Sequence, residues 1–268
     1  MKCTVVLLLS LILAPVASAT LTRPGVEASG SGSRSFKVCS TCDPDQEYEY
    51  HTDGGSGVGV AVSEGFADIY YEWFAEGVLR GPNLLPVLKA SAFALEPGAS
   101  DPDFLGIGYT SATASAQGLE QFHYAGTADA IYEITFQVNG SIAGDYESIE
   151  AGLAVYGSDY TGAGEGSGYV PPVASASMRK TATNGAFADS RTVSFLIAPD
   201  TDFFVFAYLS ANAFFADATN EAGGADASHT FNASFTAGDT SLLSFVPEPA
   251  LGGLVLLALG IPPLLRRR

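Results

Sequence analysis

The stretch AIYEITFQVN, residues 130–139, decides the fold class of this 268-residue chain. Its apolar residues Tyr132, Ile134, Phe136 and Val138 alternate strictly with polar ones. A period of two places every second side chain on the same face of an extended strand. The stretch therefore predicts a β-strand with one face against a core and the other toward water.

Sequence on both sides of this stretch predicts its partners. Asn139 and Gly140 have turn chemistry, so residues 147–156 are expected to form a hairpin with the first strand. Residues 192–198 repeat the alternation, with Val193 among the inward set. Two further residues, Phe195 and Ile197, complete that inward set.

A different pattern follows at residues 203–209, where apolar residues point to both faces. Such a run predicts a central strand that is covered on both sides. Between the strand-like runs lie Gly and Pro pairs, and no central segment keeps a helical apolar period. About ten to twelve short strands with frequent turns predict an all-β fold, a two-layer antiparallel β-sandwich, with a jelly-roll-like arrangement as one form of it.

The N-terminus, residues 1–19, has the pattern of an export signal. Lys2 gives a basic start, residues 5–13 form an apolar core, and Ala17-Ser18-Ala19 is a small-residue cleavage site. We expect signal peptidase to cut after Ala19. The protein is therefore expected to leave the cytoplasm.

The C-terminus, residues 246–268, has the layout of a second sorting signal. Pro247, Glu248 and Pro249 precede an apolar run of sixteen residues, 250–265, and a basic end. As a transmembrane helix this run would reach about 24 Å, short of the roughly 30 Å of hydrocarbon in a bilayer. The basic end, Arg266, Arg267 and Arg268, is expected to stay in the cytoplasm as a stop. These features predict a temporary halt in the inner membrane.

This order of motif, apolar segment and arginine tail resembles the PEP-CTERM sorting signal of exported proteins in Gram-negative bacteria. The resemblance implies processing by an exosortase, a membrane transpeptidase, and delivery to the cell surface or the exopolysaccharide matrix. It covers residues 246–268 and implies nothing about the domain between the two signals. The expected partners are thus signal peptidase, an exosortase-type enzyme and exopolysaccharide.

The charge of the chain argues against nucleic acid as a partner. The formal net charge is −17. Loss of Lys2 and the three terminal arginines leaves eight basic residues against 29 acidic ones, a net charge of −21. No basic patch remains that would neutralise phosphates, and an acidic surface repels anionic polymers at low salt.

Residues 20–57 are predicted to be a Gly/Ser-rich and acidic lead-in, followed by the sandwich at 58–245. The lead-in contains Cys39 and Cys42 in C-x-x-C spacing. After export we expect a local disulfide between them. Inter-chain or unpaired cysteines, and redox or metal chemistry, are the alternatives.

The lead-in also carries alternating acids, among them Asp43, Asp45, Glu47 and Asp53. Calcium binds several carboxylate and carbonyl oxygens, so these residues are candidates for a calcium loop. Their spacing is not that of an EF-hand, and a solvated acidic loop is the alternative that we favour. No other cofactor is expected.

Motifs for catalysis are not found in the sequence. It contains no G-x-S-x-G, H-E-x-x-H, P-loop or dinucleotide pattern, and its three histidines, His51, His123 and His229, are isolated. We therefore expect a non-catalytic surface or matrix protein with a role in adhesion or biofilm structure. A carbohydrate-binding module and a secreted glycan hydrolase are the alternatives.

A sugar-binding role has one candidate platform in the sequence. Trp73 and its neighbours Tyr70, Tyr71 and Phe74 form an aromatic cluster that stacking on sugar rings would use. Burial in the core is the competing interpretation of the same residues, and we favour it.

Overall fold

Two antiparallel sheets pack face to face in the computed structural model of the chain. It describes residues 21–37, 46–57, 59–65, 71–79, 85–94, 108–143, 147–161, 170–181, 185–215 and 223–246. Nearly all of these residues are in strands, and the two sheets form a sandwich. The predicted all-β sandwich is confirmed. Within the described ranges there is no apolar helix of membrane-spanning length.

Within the described residues, thirteen strands make up the two sheets. In chain order they are β1 (Gly25–Lys37), β2 (Gln46–Gly57), β3 (Gly59–Gly65), β4 (Tyr71–Val78), β5 (Val87–Ala94), β6 (Gly108–Tyr124), β7 (Ala130–Ala143), β8 (Ser148–Tyr156), β9 (Ala174–Thr181), β10 (Gly185–Ile197), β11 (Thr201–Phe215), β12 (Gly223–Ala237) and β13 (Leu243–Phe245). Sheet A has the order β2-β1-β6-β11-β8-β9, with β13 also beside β6. Sheet B has the order β10-β7-β12-β5-β4-β3.

The middle eight strands have the connectivity of a jelly roll. Their antiparallel pairs are nested in sequence: β5 with β12, β6 with β11, β7 with β10 and β8 with β9. Successive pairs alternate between sheet B and sheet A, as in one long hairpin wrapped around the core. The strands β1 to β4 extend the two sheets on the side of β5 and β6.

The stretch at 130–139 forms most of β7, and its predicted inward residues are all fully buried. The turn predicted at Asn139 and Gly140 is wrong, because β7 continues through both residues, paired with Ala188 and Phe187 of β10. The predicted hairpin is also wrong, since β8 lies in the other sheet. Pairing with β10 from Ala130 to Ile142 outweighs the local turn preference.

Of the other two strand predictions, the first is confirmed. The second is right about the central place of the strand but not about its cover, because Phe206 and Tyr208 on its outer face are only half-buried. Val193, Phe195 and Ile197 are buried on the inner face of β10. The run at 203–209 lies in β11, which is central in sheet A between β6 and β8. Its inner residues join the main core, and Phe204 on the outer face is also buried.

The predicted lead-in at 20–57 is wrong, because β1 and β2 are integral strands of sheet A. Val26 and Ala28 are buried, and Gly30 and Gly32 follow at the same period of two. A Cβ atom on Gly30 would lie 1.9 Å from the indole of Trp73. One on Gly32 would lie 2.1 Å from the ring of Tyr71.

The glycines that suggested flexibility are therefore places where large rings of the facing sheet approach the backbone. Ser29 and Ser31, which alternate with these glycines, lie half-buried on the outer face of β1. The sequence of β1 does have a period of two. The alternation was not recognised because glycine is not counted as an apolar residue in such patterns. The sandwich accordingly begins at Gly25 rather than at residue 58.

The contact between Gly30 and Trp73 predicts a strong asymmetry between neighbouring positions. Gly30→Ala should lower the free energy of unfolding by about 1–3 kcal/mol, because overpacking exceeds the roughly 0.4–1 kcal/mol gained from a stiffer unfolded chain. Ser31→Ala on the outer face should change it by less than about 0.5 kcal/mol. Urea denaturation measures both. Equal effects at the two positions would show that β1 does not pack against Trp73.

Candidate functional site

A second, smaller apolar cluster lies on the outer face of sheet A. Its buried members are Leu21, Leu119, Tyr156, Tyr160 and Phe204. The ring of Tyr160 packs 4.7 Å from Tyr156 and 5.1 Å from Phe204, centroid to centroid. Its hydroxyl donates to the carbonyl of Leu21 at 2.8 Å. This cluster covers one end of β11 and fastens the N-terminal residues of the domain to sheet A.

Next to the cluster, two half-buried aromatic rings stand along β11. Phe206 and Tyr208 have ring centroids 6.2 Å apart and are tilted by 30°. Tyr208 leans across β8 at Gly152, where a Cβ atom would lie 2.5 Å from its ring. The absence of a side chain at Gly152 lets the ring lie close to the sheet. The two rings therefore form a flat aromatic surface that continues from the apolar cluster.

Polar groups surround this aromatic surface in a regular cross-strand row. The register aligns Glu27 of β1, Gln117 of β6, Tyr208, Gly152 and Ser177 of β9. The amide of Gln117 donates to the Glu27 carboxylate at 3.5 Å. We call Glu27, Gln117, Glu150, Phe206 and Tyr208 the platform.

The environment of the platform changes the acidity of two of its groups. Burial raises the pKa of Glu27. Burial, and after it the neighbouring charge of Glu150, raise the pKa of Tyr208 to about 12. The Tyr208 phenol thus keeps its proton to a higher pH than an ordinary tyrosine does, with Glu150 and Ser177 as polar neighbours. The platform thus offers two aromatic rings and two carboxyl groups to a ligand.

The carboxyl groups of the platform come from strands that are not neighbours. The backbones of Glu27 and Glu150 are three strand spacings apart across the sheet, about 14 Å. Glu27 and Glu150 can therefore contact different parts of one extended ligand.

A second polar group lies at the end of sheet A, around His123. Its Nδ1 atom is 2.8 Å from Asp202 and its Nε2 atom is 3.4 Å from Asp200. Gln121 donates to the other oxygen of Asp202 at 3.2 Å. Asp200 has a φ of +52°, a conformation that Asp tolerates in turns. The contacts hold the turn between β10 and β11 against β6.

The register also aligns Ser244 of β13 with His123 and Asp202. A hydrolytic triad would need the free imidazole nitrogen to face the serine hydroxyl. Here Nε2 faces Asp200 instead. The group links a turn to β6 through polar contacts. Sequence reasoning missed it because His123 and its aspartates are far apart in the chain and meet only through the pairing of β6 with β11.

Most of the site residues predicted from the sequence lie outside the described residues. These are Ala17, Ala19, Cys39, Cys42, Asp43, Asp45, Pro247, Glu248, Pro249, Arg266, Arg267 and Arg268. The backbones of Glu47 and Asp53 lie in β2, not in a loop. Six residues of strand separate them by about 20 Å, too far for both to bind one calcium ion.

The aromatic cluster around Trp73 belongs to the core. Trp73 is fully buried and Tyr71 is buried beside it, whereas Phe74 is half-buried on the outer face of sheet B. Tyr70 lies outside the described residues. A sugar-binding platform at Trp73 is therefore excluded. Among the described residues, no group of three or more His, Cys, Asp or Glu side chains is arranged to hold a metal ion.

The backbones of the two remaining histidines are in strands. His51 lies in β2 and His229 in β12. They are in different sheets from each other, and neither is in β6 with His123.

Comparison with known proteins adds no family. No protein-family model matches the chain, and no curated protein matches it. Among solved structures, that of the infectious bursal disease virus Gx strain aligns with 89% of this chain and 73% of its own, at 9% identity and a TM-score of 0.12. At that score the alignment supports no statement about fold or function.

The raised pKa of Tyr208 predicts a pH dependence of stability. In the unfolded chain the phenol loses its proton near its ordinary pKa of about 10, but in the folded chain only near 12. The native state is therefore destabilised as pH rises through this interval. Tyr208→Phe should lose less stability than the wild type between pH 9 and pH 11.5 in urea denaturation. Parallel pH profiles for the two proteins would contradict the assignment.

Proposed function

We propose that this protein is an exported, non-catalytic component of the cell surface or exopolysaccharide matrix, processed through its PEP-CTERM-like tail. Signal peptidase removes residues 1–19, and the tail halts the chain in the inner membrane. An exosortase-type transpeptidase then acts near Pro247, Glu248 and Pro249. The jelly-roll sandwich is what reaches the surface, where it has an adhesive or structural role.

The observation that carries this proposal is the position of the sandwich between the two signals. The first strand, β1, begins at Gly25, six residues after Ala19, and the last, β13, ends at Phe245, two residues before Pro247. The N–H of Val246 donates to the carbonyl of Gln121 at 3.2 Å, and β13 pairs with β6 just beyond the start of β1. Both ends of the domain are thus fastened to sheet A. Removal of either signal leaves every described strand intact.

Carbohydrate binding is a second candidate function, and the platform favours it. Phe206 and Tyr208 are partly accessible on the outer face of a β-sheet, beside carboxyl and amide groups that can bind sugar hydroxyls. A matrix protein with such a face would hold exopolysaccharide directly. This candidate and the structural role are compatible.

The sorting proposal predicts the result of changing the motif. Alanine at Pro247, Glu248 and Pro249 should leave the protein in the inner membrane of a Gram-negative host that carries an exosortase. The sandwich should still fold, because the changed residues follow its last strand. Cell fractionation and the intact mass of the product measure both. The matched control is Pro171→Ala with Pro172→Ala, before β9, which changes prolines outside the tail.

Delivery of the motif variant to the surface in the amount seen for the control would overturn the sorting proposal. A wild-type surface product whose mass still includes Arg266 to Arg268 would overturn it as well.

A further inference from the structure

We propose that the platform on sheet A binds a polysaccharide that carries free amino groups, a cationic glycan built of amino sugars. The inference rests on the proposed function as a matrix protein and names the chemical class of the polymer. It is carried by the rings of Phe206 and Tyr208 together with the carboxyl groups of Glu27 and Glu150.

The aromatic rings account for recognition of a sugar. A pyranose presents C–H groups on one face, and a flat ring of partly exposed aromatic surface packs against them. The Tyr208 ring packs closely over the backbone of Gly152, where a side chain would leave it no room. The ring is therefore in position before a ligand arrives, which lowers the entropic cost of binding.

The carboxyl groups account for the charge of the ligand. Glu27 is partly desolvated, and its partner Gln117 is a neutral amide. An ammonium group would give it a charge-assisted hydrogen bond and would also be attracted to the faces of the two rings. Glu150 has Arg179 opposite it on β9. We therefore expect an ammonium group of the ligand to bind at Glu27 rather than at Glu150. The net charge of −17 disfavours an anionic polymer.

The width of the platform accounts for the length of the ligand. Glu27 and Tyr208 lie two strand spacings apart, about 10 Å. A single sugar cannot contact both, so the site should prefer an oligomer. The ligand would run across the strands, along the row from β1 to β8.

The test uses residues 20–246, which contain every described strand, and titration calorimetry with five probes. These are a glucosamine hexamer, its fully N-acetylated form, glucosamine monomer, an alginate hexamer and hexalysine. We expect the glucosamine hexamer to bind about tenfold more tightly than the N-acetylated one, because only it has ammonium groups. Glucosamine monomer and alginate should show no binding.

Variants separate stacking from charge. Tyr208→Ala and Glu27→Gln should each weaken binding of the glucosamine hexamer about tenfold, whereas Tyr208→Phe keeps the ring and should retain most of it. Gly152→Ala should weaken binding by displacing the Tyr208 ring. Matched controls on the outer face of sheet B, Glu133→Gln and Phe74→Ala, should bind as the wild type does. Circular dichroism verifies that each variant is folded.

Three results would overturn the inference. Equal or tighter binding of the N-acetylated hexamer would remove the role of charge. Hexalysine binding as tight as that of the glucosamine hexamer, or variants at Tyr208 and Glu27 that bind unchanged, would show nonspecific attraction to an acidic protein. None of these results bears on sorting, which the variants of the tail test separately.

Discussion

The approach of Trp73 and Tyr71 to the backbone of β1 is the contact on which the rest of the structure depends. The two rings leave no room for a Cβ atom at Gly30 or Gly32. A shift of β1 by one residue would place serines against the rings and glycines in water. The contact therefore fixes the register of β1, and through it the position of the whole edge of sheet A beside β6.

The same arrangement of a ring over a glycine recurs elsewhere in the domain. Tyr132 lies over Gly238, which has a φ of +98°, and its hydroxyl donates to the carbonyl of Asp239. On the outer face, Tyr208 lies over Gly152. In the core this arrangement fills space between sheets that also carry many alanines. On the surface it holds an aromatic ring in position for a ligand. The packing of the core and the proposed binding surface therefore both depend on a ring that lies over a glycine.

Sequence predicted the parts of the fold where residue size and periodicity agree, as at Tyr132 to Val138 and Val193 to Ile197. It failed where pairing in the sandwich overrides local chemistry, as at Asn139 and Gly140. It also failed at β1, because a glycine chosen for close packing looks the same as one in a linker. The platform was missed since its residues come from four strands. The sorting tail remains a prediction, because it lies outside the described residues.

Hydrogen exchange of the backbone amides in β1 tests this account most directly. Residues of β1 pair with β2 on one side and β6 on the other, so both edges of the strand are hydrogen-bonded. In the fragment 20–246, the amides from Val26 to Ser33 should be protected to the same degree as those of β6 and β11. Exchange of these amides at the rate of an unstructured peptide would contradict the account, because it would show that this segment is a linker and not a strand of sheet A.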